Sequence, residues 1–185
     1  MKNLVFFLAL LCSTSLVAQF SYNENGTGIQ SSSSTASGLY STAMGIETTA
    51  SGDYSTAMGI STTASGFYST AMGFVTTASG TYSTAMGSVT IASGYYSTAS
   101  GRATTAEDYG TTAIGLFNKT KETPNPDIFS YQNTAFVIGN GVSDNRSNAL
   151  EVLFDGSTTI AGNVTAPAFI GDGSQLTNLP TPSVN

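Results

Sequence analysis

Apolar and polar positions repeat with a period of fourteen residues from Thr35 to Asn118. The first unit reads TASGLYSTAMGIET. The five that follow are TASGDYSTAMGIST, TASGFYSTAMGFVT, TASGTYSTAMGSVT, IASGYYSTASGRAT and TAEDYGTTAIGLFN. The last unit loses the tyrosine of the sixth position and one glycine, as is typical of the unit that ends a stacked array. The pattern therefore predicts one structural unit repeated six times.

Each unit consists of two similar halves, because Ala-x-Gly returns after seven residues, as in Ala36–Gly38 and Ala43–Gly45. Seven residues are too few for a helix and a turn, and these halves contain glycine, serine and threonine instead of good helix formers. Two short strands and two bends per unit are the better interpretation. The sequence thus predicts an all-β fold, a flattened β-solenoid with about six coils stacked about 4.8 Å apart.

Alternation along the strand assigns the two faces, since successive side chains point to opposite sides. Ala43 and Gly45 share one face, and Thr42 and Met44 share the other. Only small side chains fit inside so thin a coil, so alanine and glycine are predicted inside and methionine outside. The alternative, with methionine inside and alanine outside, stays open. The predicted interior alanines are Ala43, Ala57, Ala71, Ala85, Ala99 and Ala113.

The outward methionines form an apolar stripe that needs cover. Burying one such side chain is worth about 1.5–3 kcal/mol, and an interior of alanine buries little area for its length. Self-association provides both the cover and the missing stability. The predicted subunit interface consists of Met44, Met58, Met72, Met86 and Ile114.

A tyrosine recurs once per unit near a bend, and the residues that follow the glycines vary between units. Two interpretations of the tyrosines remain open: a structural ladder of stacked rings, or an aromatic track for a glycan or a protein surface. Variable side chains at exposed bends suit an adhesive surface. The candidate adhesive residues are Tyr40, Tyr54, Phe67, Tyr68, Phe74, Tyr82, Tyr95 and Tyr96.

A regular threonine column, which begins with Thr42 and Thr56, raises ice binding as a further alternative. Threonine ladders on a flat solenoid face suit such a role. However, this column shares its face with the methionines, which argues against it.

The pattern Ala-x-Gly-x-x-Ser-x-Ala-x-Gly, as in Ala50–Gly59, resembles the head repeats of trimeric autotransporter adhesins of the YadA type. The resemblance covers Thr35 to Asn118. It implies a left-handed parallel β-roll, a homotrimer, and attachment to extracellular matrix, host cells or other bacteria. The repeat specifies the scaffold and leaves the ligand, whether matrix protein, glycan or cell-surface molecule, unidentified.

Residues 1–18 have the pattern of a secretory signal peptide, with Lys2, an apolar run from Leu4 to Leu11, and a processing site after Ala18. Lipidation of Cys12 is the weaker alternative, since Leu11 is large for such a site. The predicted mature chain has no cysteine and no transmembrane segment. We therefore expect an exported protein, extracellular or on the bacterial surface, with outer-membrane association through an unidentified anchor still open.

The remaining segments divide around the repeats. Residues 19–34 form a serine-rich lead-in, residues 35–118 the solenoid, residues 119–133 a loop with two prolines, and residues 134–185 a tail of short strands. Part of this tail loosely resembles a neck that joins a head to a stalk. Its end, from Ala168 to Pro180, is similar to linkers of phage tail fibres and other trimeric surface fibres. A heptad-repeat stalk and membrane-anchor strands are not expected within this sequence.

Composition narrows the possible functions. The chain has no histidine, and its eleven acidic residues face five basic ones, including Lys2. The acidic balance makes nucleic acid a poor partner. Scattered carboxylates without a histidine or a mature cysteine give no catalytic or metal site, so neither an enzyme nor a cofactor is expected. A spacer that binds nothing is the main alternative to an adhesin, and a polysaccharide hydrolase is a third, suggested only by the fibre resemblance.

Overall fold

The computed structural model describes residues 20–23 and 26–167, and all the regular structure in these ranges is β. The predicted signal peptide lies outside the described residues. So does the linker-like segment from Ala168 to Pro180.

Each fourteen-residue unit contributes a strand of five residues, a strand of two residues and two bends. The five-residue strands are β4 (Thr42–Ile46), β6 (Thr56–Ile60), β8 (Thr70–Phe74), β10 (Thr84–Ser88), β12 (Thr98–Arg102) and β14 (Thr112–Leu116). The two-residue strands are β3 (Thr35–Ala36), β5 (Thr49–Ala50), β7 (Thr63–Ala64), β9 (Thr77–Ala78), β11 (Ile91–Ala92) and β13 (Thr105–Ala106). Within the array, strands pair in parallel at an offset of fourteen residues, without a register shift. The predicted β-solenoid of about six coils is confirmed.

The sheet of longer strands continues beyond the repeats at both ends, and contains eleven strands in all. The lead-in adds β1 (Phe20–Tyr22) and β2 (Ile29–Ser31), of which β2 pairs in parallel with β4. At the other end β15 (Thr134–Asn140) joins β14 in parallel. It is followed by the antiparallel strands β16 (Asn148–Leu153) and β17 (Thr158–Ile160). The two-residue strands form a separate six-stranded sheet.

Alanine and two columns of hydroxyl residues fill the solenoid. None of the twelve core alanines has solvent-accessible surface, and the six of the longer strands are Ala43, Ala57, Ala71, Ala85, Ala99 and Ala113. One hydroxyl column is Ser41, Ser55, Ser69, Ser83 and Ser97, and the other is Thr48, Thr62, Thr76, Thr90 and Thr104. Apart from Ser41, which donates to the Gly38 carbonyl, these hydroxyls are buried without a hydrogen-bond partner. The core is therefore more polar than the strand alternation predicts.

The glycines of the longer strands do not fill the interior, so placing Gly45 beside Ala43 on the inner face was wrong. Gly73 has a φ of 124° and is exposed, and a Cβ built on it would lie 2.0 Å from the Gly87 carbonyl oxygen in the next coil. The missing side chain lets neighbouring coils approach closely. Glycine is required here by the stacking of the coils, rather than by a lack of interior volume.

Side-chain amides close both ends of the six-stranded sheet. Gln30 accepts a hydrogen bond from the amide of Ala36 at the first strand. At the last strand Asn118 accepts from the amide of Thr105 (2.7 Å) and donates to its carbonyl (3.0 Å). These side chains take the place of a further strand. They satisfy backbone groups at the two edges of the sheet and so oppose pairing with another chain there.

Replacing Thr76 with valine is expected to leave stability unchanged or to raise it by up to about 1 kcal/mol. Valine has nearly the same shape and removes a buried hydroxyl that has no partner. Denaturant unfolding measures the change. The matched Thr76→Ala variant leaves a void and should be destabilised. If the valine variant loses as much stability as the alanine variant, the hydroxyl makes a bond that matters.

Candidate functional site

An apolar stripe runs along the outer face of the long sheet. It consists of Met44, Met58, Met72, Met86 and Ile114, and is called the Met stripe below. Each member lies beside its equivalent in the next coil, with Ser100 interrupting the column between Met86 and Ile114. The five side chains are half-buried. Their neighbours on the inner face are the fully buried alanines.

The Met stripe continues onto the strands that follow the repeats, which the sequence did not reveal. Ile138 of β15 lies opposite Ile114, Leu150 of β16 lies opposite Ile138, and Ile160 of β17 lies opposite Leu150. Phe136 extends the adjacent threonine column in the same way, beside Thr112. One apolar surface therefore runs from the first coil to the strands of the tail.

The recurring tyrosines form a ladder at one bend of the coil. This Tyr ladder consists of Tyr40, Tyr54, Tyr68, Tyr82 and Tyr96. All five residues have a φ between 54° and 58°. The left-handed conformation turns the chain so that the rings point outward, although strand parity alone would place them with Ala36 inside. Each amide from Tyr54 onward donates to a carbonyl of the previous coil, such as Tyr54 to Leu39 (2.7 Å). The bend thus fixes the spacing of the rings.

Successive rings of the Tyr ladder stack on one another. The centroid separations are 5.2, 4.6, 5.2 and 5.1 Å along the column. The last three pairs are nearly parallel, with interplanar angles of 3–6°. The five side chains remain 43–59% exposed. The rings therefore form the stacked ladder of the structural interpretation. A substantial part of every tyrosine side chain is still accessible.

Other aromatic rings extend this surface. Phe67 lies across the ladder with its ring at 88° to Tyr68, at a centroid distance of 4.4 Å. Beyond Tyr96 the path continues through Tyr109 to Phe129 in the loop. The described structure thus presents one connected aromatic surface along the bend.

Seven of the eight candidate adhesive residues lie at this bend, and Phe74 does not. Phe74 ends β8 and stands beside the opposite bend, where its side chain is exposed. Tyr95 lies at the ladder bend, where its amide donates to the Pro126 carbonyl of the loop. The opposite bend carries further exposed apolar residues, namely Ile46, Ile60, Val75, Val89 and Leu116.

The charged residues at the end of the solenoid hold the following loop against the last coil. Asp108 is 2% exposed, pairs with the Lys121 ammonium (2.7 Å) and accepts from the amides of Asn125 (2.7 Å) and Thr134 (2.8 Å). Burial raises the pKa of the adjacent Glu107 carboxyl above its ordinary value. These contacts attach the loop 119–133 to the last coil. The Lys121 ammonium and the amides of Asn125 and Thr134 are thus engaged with Asp108 in holding the loop.

The structure describes residues 20–23 and 26–167. No group of three or more histidine, cysteine or acidic side chains there is placed to hold a metal ion. In the same ranges, no helix is long and apolar enough to cross a membrane.

Comparison with known protein families finds the YadA head domain repeat (2 copies) at residues 36–62, 64–89 and 92–118. The matched segments coincide with the coils that carry the Met stripe and the Tyr ladder. No curated protein matches the chain in sequence.

Proposed function

Because the repeat array at residues 36–118 belongs to the YadA head repeat family, we propose that this chain is the head of an exported, homotrimeric adhesin. The head attaches its bearer to matrix proteins, glycans or other cells. The observation that carries the proposal is a solenoid with two separate surfaces, an apolar stripe on a sheet face and an aromatic ladder at a bend. One surface serves assembly, and the other serves attachment.

The Met stripe supplies the subunit interface in this proposal. Its members are in register over the coils, and Ile138 and Leu150 continue the surface into the tail. Three chains related by an axis parallel to the solenoid would bury this face against one another. The covered face would add apolar area that the alanine-filled interior does not supply.

The aromatic surface supplies the adhesive contacts. The bend that carries Tyr54 and Phe67 is separate from the outer face of the long sheet, so trimer assembly leaves it accessible. Neighbouring coils repeat the same contact with small variations at the position before each tyrosine, as in Asp53 and Phe67. Attachment therefore spreads over several coils, and no single pocket is required.

A non-binding spacer remains the second candidate, and the ring stacking favours it. Parallel rings at 4.6–5.2 Å stabilise the column without any ligand. A fibre segment of this kind would display another domain at a fixed distance. The two functions differ in whether the exposed bend binds anything.

Deletion of whole coils distinguishes the adhesin from the spacer. Removing residues 63–76, and then 63–90, should lower binding to matrix proteins, glycans and cells step by step, while the shortened solenoids remain folded. Stability in such arrays is roughly a sum over neighbouring repeats. Solid-phase binding and circular dichroism measure the two effects.

A matched deletion of residues 77–90 removes one coil with a different variable residue, Thr81 in place of Phe67. Partial losses from both single deletions, with the larger loss on removal of the coil that contains Phe67, support a distributed surface. No binding at any length would establish the spacer. Abrupt loss on removal of one particular coil would indicate a localised site and contradict the proposal.

A further inference from the structure

We propose that the Tyr ladder binds a neutral, extended β-1,4-linked polysaccharide that lies along the solenoid axis. This inference rests on the proposed adhesive function and names the ligand class of the same surface. The carrying observation is the combination of ring spacing, ring orientation and charge at one bend.

Ring orientation determines which part of each tyrosine a ligand can reach. The planes of Tyr54, Tyr68 and Tyr82 are parallel within 6°, and each ring covers the face of the next. Sugars commonly contact aromatic side chains through the ring face, and that route is blocked within the ladder. The accessible parts are the ring edges and the phenolic hydroxyls, which can donate and accept hydrogen bonds. The ladder therefore offers a row of hydrogen-bonding groups with apolar edges between them.

Ring spacing determines which polymers fit this row. The tyrosines follow each other at 4.6–5.2 Å, one per coil. An extended chain of β-1,4-linked pyranoses advances by about one ring length per sugar, which is close to the spacing between neighbouring strands. Neighbouring sugars of such a chain are flipped relative to each other, so every second sugar meets every second hydroxyl of the ladder in the same relation. An α-1,4-linked chain coils and loses this register after a few sugars.

Phe67 adds one contact of the ordinary stacking kind. Its ring is perpendicular to the planes of Tyr54, Tyr68 and Tyr82 (86–88°), so its plane runs parallel to the direction of the ladder. Its side chain is exposed. A sugar that follows the ladder can therefore place its apolar face on Phe67, which anchors the polymer near the middle of the row.

Charge selects a neutral ligand. The five ladder bends read SGLYS, SGDYS, SGFYS, SGTYS and SGYYS, without a lysine or arginine, and the whole chain has a net charge of -6. The one charged side chain among them, Asp53, accepts a hydrogen bond from the Leu39 amide. A polyanionic glycan would be repelled by such a surface, whereas neutral cellulose or chitin would not.

The inference is tested with the full mature chain from Gln19 in pull-down assays on insoluble cellulose and chitin, with amylose resin and heparin resin as comparisons. Cellulose or chitin should retain the protein, and amylose and heparin should not. The double variant Tyr68→Phe and Tyr82→Phe preserves the stacked rings and removes two hydroxyls. Its affinity should fall about tenfold, as expected for the loss of two hydrogen bonds.

The control variant Ile60→Ala removes an exposed apolar side chain at the opposite bend and should bind as the unchanged chain does. Phe67→Ala should weaken binding, and circular dichroism should show that all variants are folded. Full retention by the double phenylalanine variant would overturn the inference, and so would equal retention on amylose or heparin. Adhesion to cells or matrix proteins without any glycan binding would overturn this inference and leave the proposed adhesin intact. Failure to bind any surface would overturn both.

Discussion

A single methyl group added at Gly73 is expected to destabilise the solenoid by at least about 3 kcal/mol. The backbone there has a φ of 124°, a conformation that costs a residue with a side chain about 1–3 kcal/mol. The new Cβ would also lie 2.0 Å from the Gly87 carbonyl oxygen, so the two coils must separate. Since coils are stabilised by their neighbours, this separation weakens the whole array. Thermal and denaturant unfolding of Gly73→Ala measure the loss.

The matched control is Gly162→Ala in the tail. A Cβ at Gly162 meets nothing within 4 Å, and its φ is not in the left-handed range. This variant should unfold at the same temperature as the unchanged chain. Equal behaviour of the two variants would mean that the coils do not approach each other closely at Gly73.

The repeat period was sufficient to predict the solenoid. A seven-residue half with alternating alanine permits two short strands and two bends, and the strands pair at an offset of one unit, as between Met58 and Met72. Parallel pairing of identical segments needs no information beyond the repeat itself. The alternation along each strand was likewise enough to place alanine and methionine on opposite faces of the sheet.

Contacts between coils were harder to predict. The role of Gly73 depends on how closely the backbone of the next coil approaches, which a linear alternation of faces does not contain. The buried hydroxyl columns that include Ser69 and Thr76 were missed because serine and threonine are ordinarily exposed. Their lack of variation from unit to unit was the available signal.

The candidate site was only partly visible in the sequence. The Tyr ladder follows from the period, but its outward direction depends on the left-handed backbone at each tyrosine, such as Tyr54 with φ of 57°. The extension of the Met stripe was hidden because Ile138 follows Ile114 after twenty-four residues instead of fourteen. The inserted loop lengthens the sequence between the two residues, but β15 still pairs with β14 so that Ile138 lies beside Ile114.

Replacing Met58 and Met72 together with aspartate is expected to abolish the proposed trimer. The two side chains are neighbours in the Met stripe, which faces the other subunits in this assembly. Three copies would bring six carboxylates into one apolar contact, and a buried unpaired charge costs several kcal/mol. Light scattering of the mature chain should give the mass of a trimer, and the double variant should be monomeric or unfolded at the same concentration.

Two controls assign this effect to the Met stripe. Ser65→Asp with Ser79→Asp adds the same charge to neighbouring coils at exposed positions near the other sheet, and should preserve the trimer. Met58→Leu with Met72→Leu keeps an apolar surface and should preserve it as well. Trimers that tolerate aspartate at Met58 and Met72 would show that the subunits meet elsewhere. The bend with Ile46 and Leu116 would then become the candidate interface, because it carries the other exposed apolar column. In either case the Tyr ladder bend would remain available for attachment, since neither apolar surface includes it.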